Sequence, residues 1–265
     1  MTPPKSHGAA ADGNAARQVE LGVPESLPPG LATAWGVVDT GRRRGPRPAH
    51  TIEEIVAVAT RLADEEGLAA ASLPKVASRV GVTTNALYRY VSSRDELITL
   101  VADRAWGDPP ALQDGDWRGG ATLWSRQLFQ RFLSRPWLLD APTTIPLTPH
   151  NAAWLDALLT VLKPTGMQAQ QMLNCAYLLD SHARYGANLQ RRTPAPAALR
   201  RVNPDQRQAI RATRLFLDEQ LRARNLNAVA EVLEDPAYLV DEAPLDGFEF
   251  GLARILDGIE AYIRQ

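Results

Sequence analysis

Apolar positions recur at three- and four-residue steps through most of the chain after residue 50, the period of amphipathic helices. Thr51-Ile-Glu-Glu54 reads as a capping box that starts the first helix. Ile52, Ile55, Val56, Ala59, Leu62 and Ala63 share its inner face, and Gly67 stops it. Ser72 is placed to cap a short second helix that turns Val76, Ala77 and Val80 inward. Pro74 is tolerated in its first turn, where amides have no helical acceptor. Gly81 supplies a tight turn and Thr83 caps a third helix with Ala86, Leu87 and Val91 inward. Ser93 and Glu96 form a second capping box, opening a fourth helix that ends at Trp106 before Asp108-Pro109-Pro110. Beyond it the pattern predicts helices over 117–134, 151–162, 168–190, 203–224 and 227–233, and from Pro244 almost to Gln265. Loops are predicted at 140–149 and 191–202, and no stretch carries a convincing period-two strand pattern. The expected fold is all-α: an N-terminal three-helix helix-turn-helix domain plus a larger C-terminal helical domain.

The third helix carries an unusual outer face. Thr84, Asn85, Tyr88, Arg89 and Tyr90 stand where a solvated helix usually shows Glu and Lys. A short helix dressed this way and entered by a glycine turn reads as the recognition half of a helix-turn-helix. Asn pairs bidentately with adenine and a Thr methyl meets a thymine methyl, whereas Arg reaches guanine or phosphate. Thr83, Ala86 and the tyrosines complete the expected contact set. Ser72, Lys75 and the amides opening the second helix are expected phosphate anchors. Ahead of the module, residues 41–50 form a basic arm whose Arg43, Arg44 and Arg47 suit phosphates or a minor groove. Residues 1–40 are rich in Ala, Gly and Pro and read as a disordered or loosely docked extension. Within it Leu31, Trp35, Val37 and Val38 either form a short docked turn or belong to a floppy tail.

Charge leaves the choice of partner open, because a net charge of −1 over 265 residues argues neither for nor against nucleic acid. The basic footprint must therefore be local. One cysteine, Cys175, excludes an internal disulfide and fits a reducing, cytoplasmic setting. No apolar run is long enough to span a membrane, and the first residues lack the apolar core of a signal peptide. No catalytic constellation, metal motif or phosphate loop is evident, so neither an enzyme nor a bound cofactor is expected.

The module at 51–106 is followed by a body, 107–265, too large to serve as scaffolding alone. Phe248, Gly251, Leu252, Ile255, Gly258, Ile259 and Tyr262 make a stripe on the last helix suited to a dimer seam, with the 168–190 helix as its partner in a four-helix bundle. A single-chain core produces the same stripe. Trp124, Phe129, Trp137, His150, Trp154, Met172, Tyr177, His182 and Tyr185 are candidates to line a small-molecule pocket, or else plain core.

Residues 50–98 resemble the DNA-binding domain of the tetracycline-repressor (TetR) family. The matching features are Ala77, the Gly81-Val82 turn, Ala86-Leu87-Tyr88-Arg89-Tyr90 and Ser93-Arg94-Asp95-Glu96-Leu97. The ending from Phe248 to Glu260 is similar to the C-terminal domain of tetracycline-repressor-like members. The resemblance implies a homodimer with two reading heads on a palindromic operator, Arg94 as a phosphate contact, and a C-terminal pocket whose small-molecule occupant releases DNA. It implies a repressor. The competing readings are an α-helical enzyme with an accessory DNA-binding module and a ligand-independent DNA-binding protein.

Overall fold

The computed structural model describes residues 26–37, 49–113, 115–141, 147–192, 203–234 and 247–265. Among them lie eleven α-helices and no strand. A single turn, α1 (Leu31–Ala34), follows Gly30, which stands left-handed at φ 82°. Helix α2 (Ile52–Glu66) starts on its capping box: Thr51 Oγ1 accepts the Glu54 amide and the Glu54 carboxylate accepts the Thr51 amide, both at 3.2 Å. Then come α3 (Leu73–Val80), α4 (Thr84–Leu87) and α5 (Arg94–Trp106). Two caps depart from expectation. Ser72 holds the N-cap position of α3 but makes no side-chain capping bond; Pro74 removes one of the two amides such a cap serves. Ser93 Oγ accepts the Glu96 amide at 3.0 Å, while the Glu96 carboxylate turns to Ser92 instead of closing the box on Ser93.

The body comprises α6 (Trp117–Ser134), α7 (Pro149–Leu162), α8 (Ala169–Arg192), α9 (Pro204–Ala223), α10 (Asn227–Glu234) and α11 (Gly247–Ile263). Pro149 opens α7 two residues ahead of the expected start, at a position that tolerates a missing amide. The expected start of the last helix at Pro244 lies outside the described residues. Helix α8 packs on α6, α7 and α11, and α5 packs on α1, α2 and α7. Close approach needs small residues: a Cβ on Gly251 of α11 would lie 2.3 Å from the His182 ring of α8. One apolar core runs from Leu87 and Val91 beneath α4, through Leu97, Val101 and Trp106 of α5, to Phe132, Trp154 and Leu252. Helices α9 and α10 pair with each other through Arg222, which bonds Asp218 and Glu234. They leave Leu215, Phe216, Val229 and Val232 exposed.

Candidate nucleic-acid interface and effector region

The reading helix is aimed by the turns on either side of it. Gly81 stands left-handed at φ 84°. Its amide donates to Ser78 O at 3.3 Å and the Val82 amide to Ala77 O at 3.0 Å, which stops α3 in a Schellman turn. Thr83 then caps α4, its Oγ1 accepting the Ala86 amide at 3.2 Å. Leu87 and Val91 are fully buried and pin the inner side. Asn85, Tyr88 and Arg89 are exposed, and Thr84 and Ala86 half-buried. Tyr90 packs against the core, so its ring helps to hold the helix. Arg94 is exposed in the first turn of α5. Neither Arg89 nor Arg94 forms an ion pair among the described residues. Lys75 differs from expectation: its ammonium is bonded to Glu66, and that bond holds the Glu66 carboxyl below its ordinary pKa. Glu65 and Glu66 also face Arg79 at 3.7 Å, so both cations already have carboxylate partners. Arg43, Arg44 and Arg47 lie outside the described residues.

Helix α5 joins head to body. At its start Glu96, buried, accepts from the Ser92 amide at 2.6 Å, from Ser92 Oγ, and from Thr33 Oγ1 at 2.6 Å. Near its end Asp103 accepts from the His150 amide at 2.9 Å and meets His150 Nδ1 at 2.8 Å. Its last carbonyls are satisfied by the body: Trp154 Nε1 donates to Gly107 O at 3.0 Å and Arg135 to Ala105 O at 3.1 Å. Arg135 and Trp137 also bond Asp64 of α2, at 3.1 and 2.8 Å. Arg131, over the Trp154 ring at 5.8 Å, has its guanidinium pKa lowered first by burial and then by the charge of Arg135. The sequence signalled Glu96 only as a cap and gave no sign of Asp64, Asp103, Arg131 or Arg135, because their partners are distant in the chain.

The expected pocket residues divide. Trp124 and Trp154 are buried, 5.9 Å apart edge-to-face, and Trp124 Nε1 donates to Trp154 O at 2.7 Å. Phe129 stacks on Phe248 at 4.0 Å, and His182 covers the same Phe248 ring and bonds its carbonyl at 2.8 Å. Met172 packs against this core. Trp137 belongs to the head–body joint through Asp64. Tyr177 and Tyr185 stand 65% and 67% exposed on the outside of α8 and line no interior space. Among the described residues no cluster of His, Cys, Asp and Glu is arranged to hold a metal.

The residues of the expected seam divide as well. Phe248, Leu252 and Ile259 are buried in the chain's own core, Ile255 is half-buried beside them, and Gly251 faces His182. The exposed face of α11 instead carries Phe250, Arg254, Gly258 and Tyr262 at four-residue steps, and the matching face of α8 carries Tyr177, Ser181, Tyr185 and Leu189. Of the stripe read from sequence, Phe248, Gly251, Leu252, Ile255 and Ile259 face the chain's own core, while Gly258 and Tyr262 face out.

Two family models match in tandem. The model for bacterial regulatory proteins of the tetR family matches residues 55–101, and that for the tetracyclin repressor-like C-terminal domain matches residues 109–263. The HTH-type transcriptional repressor DrrR1 of Streptomyces coeruleorubidus is 33% identical over 233 residues, 86% of this chain and 84% of that protein. Among solved structures, ActR of Streptomyces coelicolor in complex with (S)-DNPA superposes with a TM-score of 0.65 at 22% identity, covering 82% of this chain and all of that one. ActR in complex with actinorhodin superposes at 0.61, with 23% identity over 80% of this chain and 96% of that one.

Proposed function

Since this chain belongs to the TetR family and is a DNA-binding transcriptional regulator of the helix-turn-helix type, we propose that it acts as a homodimeric repressor released from a palindromic operator by a small molecule. One observation carries the reading: a four-residue helix and the turn that follows it, held from beneath by Leu87 and Val91, present Asn85, Tyr88 and Arg89 outward with no acidic residue among them. In this reading Thr83, Thr84 and Ala86 line the same face, Arg94 and the α3 amides take phosphate, and Ser72 and Lys75 assist once Glu66 gives way. The arm arginines Arg43, Arg44 and Arg47 extend the footprint.

Two heads need a fixed span. The outward face of α8 and α11, with Phe250, Gly258, Tyr262, Tyr177 and Tyr185, is the surface a second copy covers, in a four-helix bundle. Large exposed aromatics on adjoining helices are otherwise costly to leave in water. The effector belongs among Trp124, Phe129, His150, Trp154, Met172 and His182. The liganded ActR structures support a small molecule in such a body. Aromatic lining with His150 and His182 suits a flat apolar ligand carrying a few polar groups. To bind there it must part the packed rings, and its differential affinity for that parted state limits how far it shifts the heads. We read the protein as cytoplasmic and without catalytic activity; no helix among the described residues is long and apolar enough to cross a membrane.

The test is selection of genomic fragments by the purified chain, with its mass in solution measured in parallel. A dimer that enriches an inverted repeat is the expected result. A monomer that holds no duplex better than random DNA overturns the proposal.

A further inference from the structure

We infer that residues 26–37 form a strap that positions the reading head, with Thr33 and Trp35 as positioning residues that touch no DNA. The strap lies ahead of the segments matched by the family models, and its docking is specific. Gly30 is left-handed and lies so close to α5 that a Cβ there would stand 2.9 Å from Glu96 O and 3.0 Å from Thr99 Cβ. Only glycine fits both the backbone conformation and the gap. Ala32 is buried beneath the turn.

Two bonds tie this segment to the rest of the chain, and a third carries the connection on into the head. Trp35 Nε1 donates to Leu147 O at 2.9 Å, just before α7 begins. Thr33 Oγ1 donates to Glu96 Oε1 at 2.6 Å. The other oxygen of Glu96 accepts the Ser92 amide at 2.6 Å, in the turn that leaves α4. Glu96 is 3% exposed and meets no cation among the described residues. A buried carboxylate held only by neutral donors depends on each of them. Without the Thr33 hydroxyl, Oε1 loses its donor, Glu96 turns toward water, and Oε2 loosens its hold on Ser92. The turn that fixes Tyr88, Arg89 and Tyr90 then slackens. Leu147 adjoins Thr148, whose buried hydroxyl has no hydrogen-bond partner, and lies close in sequence to His150, which bonds Asp103. The strap thus gives the start of α7 a second route to the head, besides α5 itself.

The affinity arm of the test rests on the DNA-binding reading; the exchange arm does not. Amide hydrogen exchange is followed in the full chain for wild type, Thr33→Ala, Thr33→Ser, Gly30→Ala and Trp35→Phe. Thr33→Ala is expected to speed exchange at Ser92 about tenfold, with the amides of the α2 core unchanged. It is expected to weaken the best selected duplex about fivefold with an unaltered salt slope, since no phosphate contact is lost. Thr33→Ser restores both. Gly30→Ala and Trp35→Phe speed exchange at residues 31–35 and, in the same direction, at Ser92. Wild-type exchange at Ser92 in Thr33→Ala, or failure of Thr33→Ser to rescue, overturns the positioning role. An unchanged Ser92 in Trp35→Phe overturns the link to the body. If wild type prefers no duplex, the repressor reading fails while the exchange result still decides the strap.

Discussion

At the residue scale, the proposed reading assigns base readout and phosphate contact to different side chains. Asn85 stands exposed on the first turn of α4, so Asn85→Ala should relax preference at one base position, costing about 1–3 kcal/mol against the preferred base. Arg94→Ala should weaken all duplexes alike and lower the salt slope by about one. Comparing selected-site profiles and affinities across salt distinguishes the two. Glu66 makes a contrasting case. It occupies Lys75 and faces Arg79, so Glu66→Gln should tighten binding to every duplex and steepen the salt dependence, as a freed ammonium displaces counterions. The outer face of α4 and its Thr83 cap were legible in the sequence because both depend on neighbours within three or four positions. The Lys75–Glu66 pair, nine residues apart across a turn, was not, nor was the idle hydroxyl of Ser72.

At the element scale, α5 is the joint, and its end is finished by another domain. Trp154 donates to the carbonyls of Trp106 and Gly107 while its ring packs on Trp106 and Trp124. Trp154→Phe keeps much of the packing but leaves those carbonyls without that donor, which should cost about 1–3 kcal/mol in a urea unfolding experiment. Helix periodicity revealed the helices but not which helix covers which. The last helix illustrates the ambiguity: Phe248, Leu252 and Ile259 satisfy a seam and an internal core equally well by spacing. What spacing does not reveal is the neighbour at Gly251, where the His182 ring of the chain's own α8 fills the space. The aromatic residues of α6, α7 and α8 posed the same problem, since a ring on a helix face carries no mark of what it touches.

At the scale of the whole molecule, head and body share one apolar core, and the proposed dimer would use the exposed aromatic face of α8 and α11. Phe250 is 67% exposed there, so Phe250→Asp should leave the fold intact but halve the mass in sedimentation and abolish operator binding, as one head holds too few phosphates. Retained dimers in that variant would move the interface elsewhere. The short turn at Leu31–Ala34 bears on how the protein is handled. A chain trimmed to begin at Ala49 keeps everything the family models match, and workers guided by those matches would choose such a start. It would also strip the Glu96 carboxylate of one of its donors and remove the ligature from Leu147. A shortened protein that binds weakly would then report the missing N-terminal turn, not a flaw in its reading helix.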